Sequence, residues 1–213
     1  VYTGDWLDGL RHGHGVLTSS DGDAFDGDWR EGVRCGIGTQ RFGSTGDVLV
    51  GTWEDDVMVG AGTLTTGRGD SYTGHFVASL RDGHGVCTFA DGATYVGGWT
   101  EGLYHGEGTL NGVGGVLCEG HWHRGEMVGF GKRVYESGES FEGEFARGLR
   151  HGNGMWRDDA RGATYVGEWS NDLREGRGTY KTADGVRQEG TWRQDRLHGP
   201  GCIDVSADVN GSR

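Results

Sequence analysis

The sequence predicts an all-β protein: an elongated, single-layer, twisted antiparallel sheet of nine tandem β-hairpin repeats, in the form of a solenoid-like rod. Two repeating patterns predict it. An aromatic-x-Gly-x-aromatic pattern, whose leading aromatic residue is replaced in three copies, recurs nine times at a spacing of 23 or 24 residues, and each copy is followed at a fixed offset by Gly-x-Gly. The chain also holds 46 glycines, one proline and eight tryptophans, so neither collagen nor a disordered chain fits.

The first strand of each repeat is predicted by its alternation. In Tyr2-Thr3-Gly4-Asp5-Trp6, large residues alternate with small polar ones, which is the two-residue period of a half-buried strand. The copies start near residues 2, 25, 49, 72, 95, 118, 141, 165 and 188, within one array over residues 1–204. We expect the rings to line one grooved face, through Tyr2, Trp6, Phe25, Trp29, Trp53, Tyr72, Phe76, Tyr95, Trp99, Trp122, Phe141 and Phe145.

The turn and the second strand complete each predicted hairpin. The position of Gly9 is held across the repeats by glycine, aspartate or, once, Ser79, and all but the serine suit a tight turn with positive φ. The second strand then begins with Gly13-x-Gly15. A glycine beside a bulky residue lets the neighbouring ring lie flat over the strand, so the aromatic and glycine positions together predict the core.

Charge and cysteine spacing narrow the classes of partner and compartment. The formal charge is −12 and the chain has two lysines, which predicts repulsion from nucleic acid. The four cysteines lie far apart without a C-x-x-C pair, which favours reduced thiols in the cytoplasm. No apolar run reaches transmembrane length, and the pattern is already under way at Val1, which indicates a piece of a longer protein.

The repeat Y-x-G-x-W-x-x-G-x-x-H-G-x-G resembles the MORN (membrane occupation and recognition nexus) repeat over residues 2 to about 204, which leaves a tail at 205–213. The resemblance implies an elongated twisted sheet with a grooved aromatic side. Because the array carries no second domain, it is most similar to the protist MORN scaffolds of the cytoskeleton, and this implies an antiparallel homodimer formed through C-terminal repeats. The chain departs from the family pattern where Leu49, Cys118 and Gln188 replace the leading aromatic residue.

No enzyme or cofactor is predicted. The chain has no Walker A sequence, no G-x-S-x-G and no H-E-x-x-H, and the repeats leave no room for a catalytic domain. His12, His105, His151 and His198 hold one position in different repeats, too far apart to share a metal ion, so no metal site is predicted. His198 and Cys202 would bind zinc only if a second subunit supplied further ligands.

The favoured function is a non-catalytic scaffold that homodimerises through its C-terminal repeats and organises cytoskeletal protein complexes in the cytoplasm. Since Pro200 argues against continuing the sheet edge to edge, we expect face packing. The predicted dimer interface is Tyr165, Trp169, Tyr180, Trp192 and Leu197. Two alternatives stay open: an adaptor that binds phosphoinositides near the membrane, and a groove that receives the helix or peptide of a partner.

Overall fold

The structure of the protein is a computed structural model, which describes the backbone of residues 1–205 and the side chains of residues 1–198. The chain divides into two compact units, Val1–Gly108 and a second that starts at Thr109. Each unit is an antiparallel meander in which consecutive strands pair. The all-β hairpin-repeat fold predicted from the sequence is confirmed.

The described residues form eighteen strands and one short 3₁₀ turn, which are joined by connecting turns. They are β1 Tyr2–Leu7, β2 Leu10–Thr18, β3 Ala24–Arg30, β4 Val33–Arg41, β5 Val48–Glu54, β6 Val57–Thr65, β7 Ser71–Val77, β8 Leu80–Thr88, β9 Thr94–Thr100, β10 Leu103–Asn111, the 3₁₀ turn Val113–Gly115, β11 Leu117–His123, β12 Glu126–Val134, β13 Ser140–Ala146, β14 Leu149–Asp158, β15 Ala163–Ser170, β16 Leu173–Lys181, β17 Val186–Arg193 and β18 Arg196–Val205. Within this range no helix is long and apolar enough to cross a membrane.

Each hairpin closes through a two-residue turn in which both central residues have positive φ. In the first repeat these are Asp8, at φ 50°, and Gly9, at φ 76°. This is the type I′ geometry, whose twist matches that of the two strands. The same pair of positions has positive φ in all nine repeats, including Ala78 and Ser79 at 47° and 64°. Ser79 is held there by its Oγ, which accepts the backbone N–H of Met58 at 2.9 Å.

A β-bulge follows the central glycine of the first strand, and it explains the first glycine of Gly-x-Gly. In the first hairpin, Gly4 pairs with Gly15 and Trp6 with Arg11, so the register shifts between them. Gly13 lies in the bulge at φ 62°, a left-handed conformation that a bulge of this kind reserves for glycine. The sequence interpretation placed both glycines beside the rings, whereas the structure gives the first a backbone role and leaves the ring contact to the second.

One face of each sheet carries the core, as alternation requires. The buried large residues come from the leading position, from the aromatic position four residues on, and from two methionines. The opposite face stays open to solvent, where Ile37 is 65% exposed and Phe130 66%. We call the buried side, with its leading residues, following aromatic residues and the residue two before each Gly-x-Gly, the aromatic face.

The C-terminal strand contains Pro200, which was expected at a sheet edge, and Val205, which was expected to start the tail. Pro200 lies within β18, on the stretch opposite the register shift between Glu189 and Thr191 of β17. Bulges are among the places where a strand tolerates proline, so the backbone position has a local explanation besides an outer edge. Val205, where the tail was expected to start, still pairs with Val186. Residues 206–213 lie outside the described residues, as do the side chains from Gly199 on.

Candidate interaction surface

The leading ring of a repeat fills the space above the second glycine of Gly-x-Gly, as predicted. A Cβ placed on Gly15 would overlap the ring of Tyr2, and a Cβ on Gly85 would overlap the ring of Tyr72. The arrangement recurs in six repeats, as the pairs Tyr2 and Gly15, Phe25 and Gly38, Tyr72 and Gly85, Tyr95 and Gly108, Phe141 and Gly154, Tyr165 and Gly178. These glycines are required for space, and any larger residue displaces a ring.

The rings of successive repeats meet edge to face. Tyr2 contacts Trp6 of its own repeat at 5.1 Å between centroids and Trp29 of the next repeat at 5.6 Å. Phe25 continues the pattern with Trp29 and Trp53, at 5.3 and 5.1 Å. Edge-to-face pairs at this separation are favourable beyond the area they bury. Each leading ring therefore joins two repeats.

The indole of each buried tryptophan at these contacts has a hydrogen-bond partner in the preceding repeat. Trp29 Nε1 donates to the Gly15 carbonyl at 3.0 Å. The same bond joins Trp53 to Gly38, Trp99 to Gly85, Trp169 to Gly154 and Trp192 to Gly178, at 3.0–3.3 Å. A buried indole without an acceptor would be costly, so these carbonyls are part of what fixes the tryptophan in place.

An arginine covers the outer side of each of these tryptophans, a contact that sequence reasoning missed. The guanidinium carbon of Arg11 lies 4.2 Å from the Trp29 ring centroid, and its Nη2 donates to the Gly32 carbonyl at 2.8 Å. The same stack joins Arg34 to Trp53, Arg81 to Trp99, Arg150 to Trp169 and Arg174 to Trp192, at 4.3–4.7 Å. The signal was present as an arginine two residues before Gly-x-Gly in five repeats.

A second backbone bond fixes the same position. The N–H at the second turn residue of the following repeat donates to the carbonyl of the covering residue, as Gly32 does to Arg11 at 2.9 Å. We use the term junction for the contact between the second strand of one repeat and the first strand of the next. Within the two units seven junctions carry this bond.

Three junctions add an ion pair through an aspartate in the turn. Arg34 Nε lies 2.9 Å from Asp56 Oδ1, and matching pairs join Arg150 to Asp172 and Arg174 to Asp195, at 3.1 and 3.0 Å. Burial acts to raise the pKa of Asp56, but hydrogen bonds from the backbone N–H and guanidinium of Arg34 outweigh it and hold the pKa below its ordinary value. The covering arginines are therefore committed to structural contacts, which weighs against their capture of phosphate headgroups.

Two junctions use methionine in place of arginine. Met58 and Met127 are 0% and 1% exposed, and each stands in a repeat that lacks the leading ring, behind Leu49 and Cys118. The terminal methyl of Met58 occupies the space beside Gly51 and Gly62 that a ring fills elsewhere. The residue that follows these methionines across the junction is phenylalanine, Phe76 or Phe145, where the arginine junctions have tryptophan.

The residues predicted to line an aromatic groove form the floor of this face. Ten of the twelve are at most 5% exposed: Phe25, Trp29, Trp53, Tyr72, Phe76, Tyr95, Trp99, Trp122, Phe141 and Phe145. Tyr2 is half-buried, and Trp6 is 59% exposed. Most of the residues predicted to line a groove are thus buried in contacts within the chain and do not face solvent.

The residues predicted for a dimer interface fall into two groups. Tyr165, Trp169 and Trp192 are buried within their own chain, whereas Tyr180 and Leu197 are half-buried. Trp156, which no sequence argument singled out, is also half-buried and pairs with Tyr165 on the neighbouring strand. Contact of these residues with a second copy stays a prediction.

Two pockets open on the aromatic face of the first unit. One, of about 320 Å³, lies between Arg11, Phe25, Arg34 and Asp56. The other, of about 380 Å³, is lined mainly by apolar groups, among them Tyr72, Phe76 and Phe89, together with one carboxylate, Asp70, and one cation, Arg81. A small, mainly apolar recess of this kind suits a peptide side chain better than a metabolite.

The predicted metal candidates receive no further ligands among the described residues. The His198 side chain is exposed, and the Cys202 side chain lies outside the described residues. Across residues 1–198, no three His, Cys, Asp or Glu side chains converge in a way that could hold a metal ion.

Comparison with protein families decides what kind of repeat this is. The model of the MORN repeat matches nine segments, residues 2–24, 25–46, 50–71, 72–94, 95–115, 118–140, 141–159, 165–187 and 189–204. The chain belongs to the MORN-repeat family. The resemblance predicted from the sequence is thereby confirmed, and the arginine–tryptophan junctions described above are contacts between MORN repeats.

Comparisons with individual proteins are less informative. No curated protein sequence matches the chain. Among solved structures, the MORN array is similar to the TCP domain of Drosophila melanogaster SAS-4 (dCPAP) in complex with a proline-rich motif of Ana2 (dSTIL), with a TM-score of 0.42 and 10% identity over 84% of this chain and 90% of that chain. It is also similar to the TCP10 domain of Danio rerio CPAP, with a TM-score of 0.44 and 10% identity over 84% and 83% of the two chains. Likenesses this distant assign no partner or role to this chain.

Proposed function

We propose that this MORN array is a non-catalytic scaffold for proteins, which forms an antiparallel homodimer through its C-terminal repeats and organises cytoskeletal complexes in the cytoplasm. The observation that carries the proposal is that the matched repeats extend over nearly the whole described chain and that their large side chains serve contacts between repeats. A regular sheet of this kind offers surface for partners, as repeat proteins do.

The dimer proposal is supported by two partly exposed aromatic rings in the C-terminal repeats. Tyr180 and Trp156 are half-buried neighbours of the fully buried Tyr165. The equivalent position in the first repeat is held by Leu17, which is also half-buried but smaller. Partly exposed aromatic rings are frequent anchors of protein interfaces, so Tyr180 and Trp156 are the side chains that we expect at the dimer contact.

Light scattering on the whole chain tests the dimer. We expect the wild-type mass to be that of a dimer at micromolar concentrations, and Tyr180→Ser with Trp156→Ser to reduce it to that of a monomer. Leu17→Ser is the matched control, because it changes the same repeat position at the other end and should leave the dimer intact. A wild-type monomer, or a dimer that survives the double substitution, would refute this part of the proposal.

A second candidate function, capture of a partner peptide, is favoured by the apolar pocket at Tyr72 and Phe89. An extended or helical segment with an apolar anchor would match the mainly apolar walls of this pocket. Ala90→Asp would place a charge beside this recess without touching the buried rings, since Ala90 is exposed. Loss of a bound partner in Ala90→Asp, with the dimer retained, would separate this function from self-association.

A further inference from the structure

The hairpin turns of the first unit carry aliphatic side chains at one repeated position. This is the first residue of the second strand, directly after the turn, and it is aliphatic in every repeat of the unit: Leu10, Val33, Val57, Leu80 and Leu103. Leu80 is 50% exposed and Leu103 44%, while Val33 is half-buried. We call these five residues the aliphatic stripe. Single exposed aliphatic residues are ordinary, but a row of them along one edge marks a surface for contact.

The hairpin itself does not require an aliphatic residue at this position. In two of the four repeats of the second unit the position holds a charged residue, Glu126 or Arg196. Glu126 pairs with His123 across its turn, as Leu10 pairs with Leu7 in the first repeat, so a charge there leaves the register of the turn unchanged. The fold therefore does not explain the aliphatic stripe, which indicates a contact outside the chain.

Uncompensated negative charge accompanies the aliphatic stripe. The first turn residue, two positions before each aliphatic residue, is acidic in four of the five repeats: Asp8, Glu31, Asp55 and Glu101. All four are exposed, and within residues 1–198 none of them forms an ion pair. The same turn position in the second unit is never acidic and holds Arg124, Arg147, Asn171 and Gln194. Aliphatic and acidic residues thus occur together only at the turns of the first unit.

The spacing of the aliphatic stripe matches the repeat of an α-helix. Consecutive members lie two strands apart, which corresponds to about 9.6 Å at the usual strand separation. Seven residues of an α-helix rise about 10.5 Å, so side chains at every seventh position recur on one side of a helix at nearly the same interval. An extended strand laid along the stripe would repeat its side chains about every 6.7 Å, which does not match.

We propose that the aliphatic stripe docks an amphipathic α-helix of a partner protein, one with an apolar residue at every seventh position and lysine or arginine beside each of these. The apolar residues pack on Val57, Leu80 and Leu103, and the cations face Asp55 and Glu101. Anchors at regular helical positions supply the affinity, and the charges fix the register.

This surface is distinct from those of the functions proposed above. Leu80 also borders the recess at Tyr72 and Phe89, but the other members of the aliphatic stripe do not line that recess. The half-buried rings expected at the dimer contact, Tyr180 and Trp156, lie in the second unit. Helix docking at the stripe therefore requires neither the recess nor the dimer.

Fluorescence anisotropy of a labelled synthetic peptide tests the proposal on the whole chain. The probe is a helix of about three heptads, with leucine at every seventh position, lysine four residues after each leucine, and alanine and glutamine elsewhere. We expect saturable binding, which Leu80→Gln with Leu103→Gln weakens about tenfold because two leucines lose apolar contact. Leu149→Gln with Leu173→Gln is the matched control at the same hairpin position, without acidic turn residues, and should leave binding unchanged.

The contribution of charge is measured with a second pair of variants. Asp55→Asn with Glu101→Gln should weaken binding of the same peptide about threefold at low salt and less at high salt, because exposed ion pairs are weak and screened. Glu136→Gln with Glu142→Gln removes two exposed acids of the second unit and should have the smaller effect. Equal effects of the two pairs would show that only net charge attracts the peptide, which contradicts a site at the stripe.

Further controls separate this proposal from the other two surfaces. The variant Tyr180→Ser with Trp156→Ser, and the variant Ala90→Asp, should bind the peptide as the wild type does, whatever they do to the dimer or to the recess. A peptide of the same composition with its leucines spread around the helix should bind at least about tenfold more weakly. No binding of the probe, equal binding of the rearranged peptide, or equal losses for the leucine pairs of both units would each overturn the proposal.

Discussion

Two junctions of the first unit solve one packing problem in different ways. At the β4–β5 junction, Phe25 covers Gly38 and Arg34 stacks on Trp53. At the β6–β7 junction, Leu49 leaves the glycines uncovered, and the methyl of Met58 fills the space from the other strand. The repeat therefore requires that the volume beside its glycines be filled, and it does not require one particular residue to fill it.

The same comparison explains which residues differ together between an arginine junction and a methionine junction. Because Phe25 already fills the space beside the glycines, Arg34 can lie over Trp53. Met58 instead fills that space itself, and the aromatic residue of the next repeat is then a smaller ring, Phe76. At the β12–β13 junction Arg133, six residues after Met127, supplies the missing guanidinium by donating to the Gly148 carbonyl at 3.1 Å. The identities of the leading residue, the covering residue and the following ring therefore depend on one another.

The largest effect is expected from placing the wrong covering residue in a methionine junction. Met58→Arg would empty the space beside Gly51 and Gly62 and bring a charge to a buried position, so we expect a loss of about 3 kcal/mol in the free energy of unfolding. Leu49→Tyr on the same chain should recover most of that loss by supplying the ring. Urea denaturation measures both. If Leu49→Tyr does not rescue Met58→Arg, the two junction types are not alternatives.

A smaller effect is expected from filling the glycine space directly. Gly85→Ala would push the added methyl into the rigid ring of Tyr72, for which we expect about 2–3 kcal/mol of destabilisation. Gly131→Ala meets the flexible methyl of Met127 and the Glu119 carbonyl, each at 2.9 Å. Because the methyl can move aside but the backbone oxygen cannot, a cost of about 1–2 kcal/mol is expected. Equal shifts in the unfolding midpoint would show that ring and methionine fill the space with the same rigidity.

The covering arginine has a built-in control on its own strand. Arg174 stacks on Trp192, whereas Arg177, three residues later, is exposed on the opposite face. We expect Arg174→Leu to cost about 1–2 kcal/mol through the lost cation–π contact and hydrogen bonds. Arg177→Leu should stay within about 0.5 kcal/mol of wild type, as a surface substitution. A similar cost for both variants would mean that the stack contributes little.

The smallest effect is expected at alkaline pH. Burial raises the pKa of Tyr165 to about 12 from an ordinary value near 10. The folded chain then keeps a proton that the unfolded chain has lost, so stability is fully present below pH 10 and declines as pH rises from 10 to 12. Tyr165→Phe should flatten this decline in an unfolding series across that window, while Tyr180→Phe, with its more exposed ring, serves as the comparison.

The sequence was sufficient for the parts of the fold that depend on period and side-chain size. The spacing of Tyr2, Trp6 and Gly15 predicted the hairpin and the covered glycine, because both follow from alternation and from a missing side chain. The left-handed φ of Gly13 was not predictable in the same way, since it depends on a bulge in the register. The role of Arg11 was missed because a charged residue in a strand is ordinarily assigned to solvent, and only the junction shows the indole beneath it.

A double-mutant cycle between Arg174 and Trp192 tests the central claim, that matched residue pairs hold neighbouring repeats together. The cycle uses Arg174→Met, Trp192→Phe and the double variant, which changes both members of the contact while the leading ring, Tyr165, stays over Gly178. We predict a coupling of about 1 kcal/mol, with the double variant less destabilised than the sum of the single variants. Strict additivity of the two single effects would contradict the account.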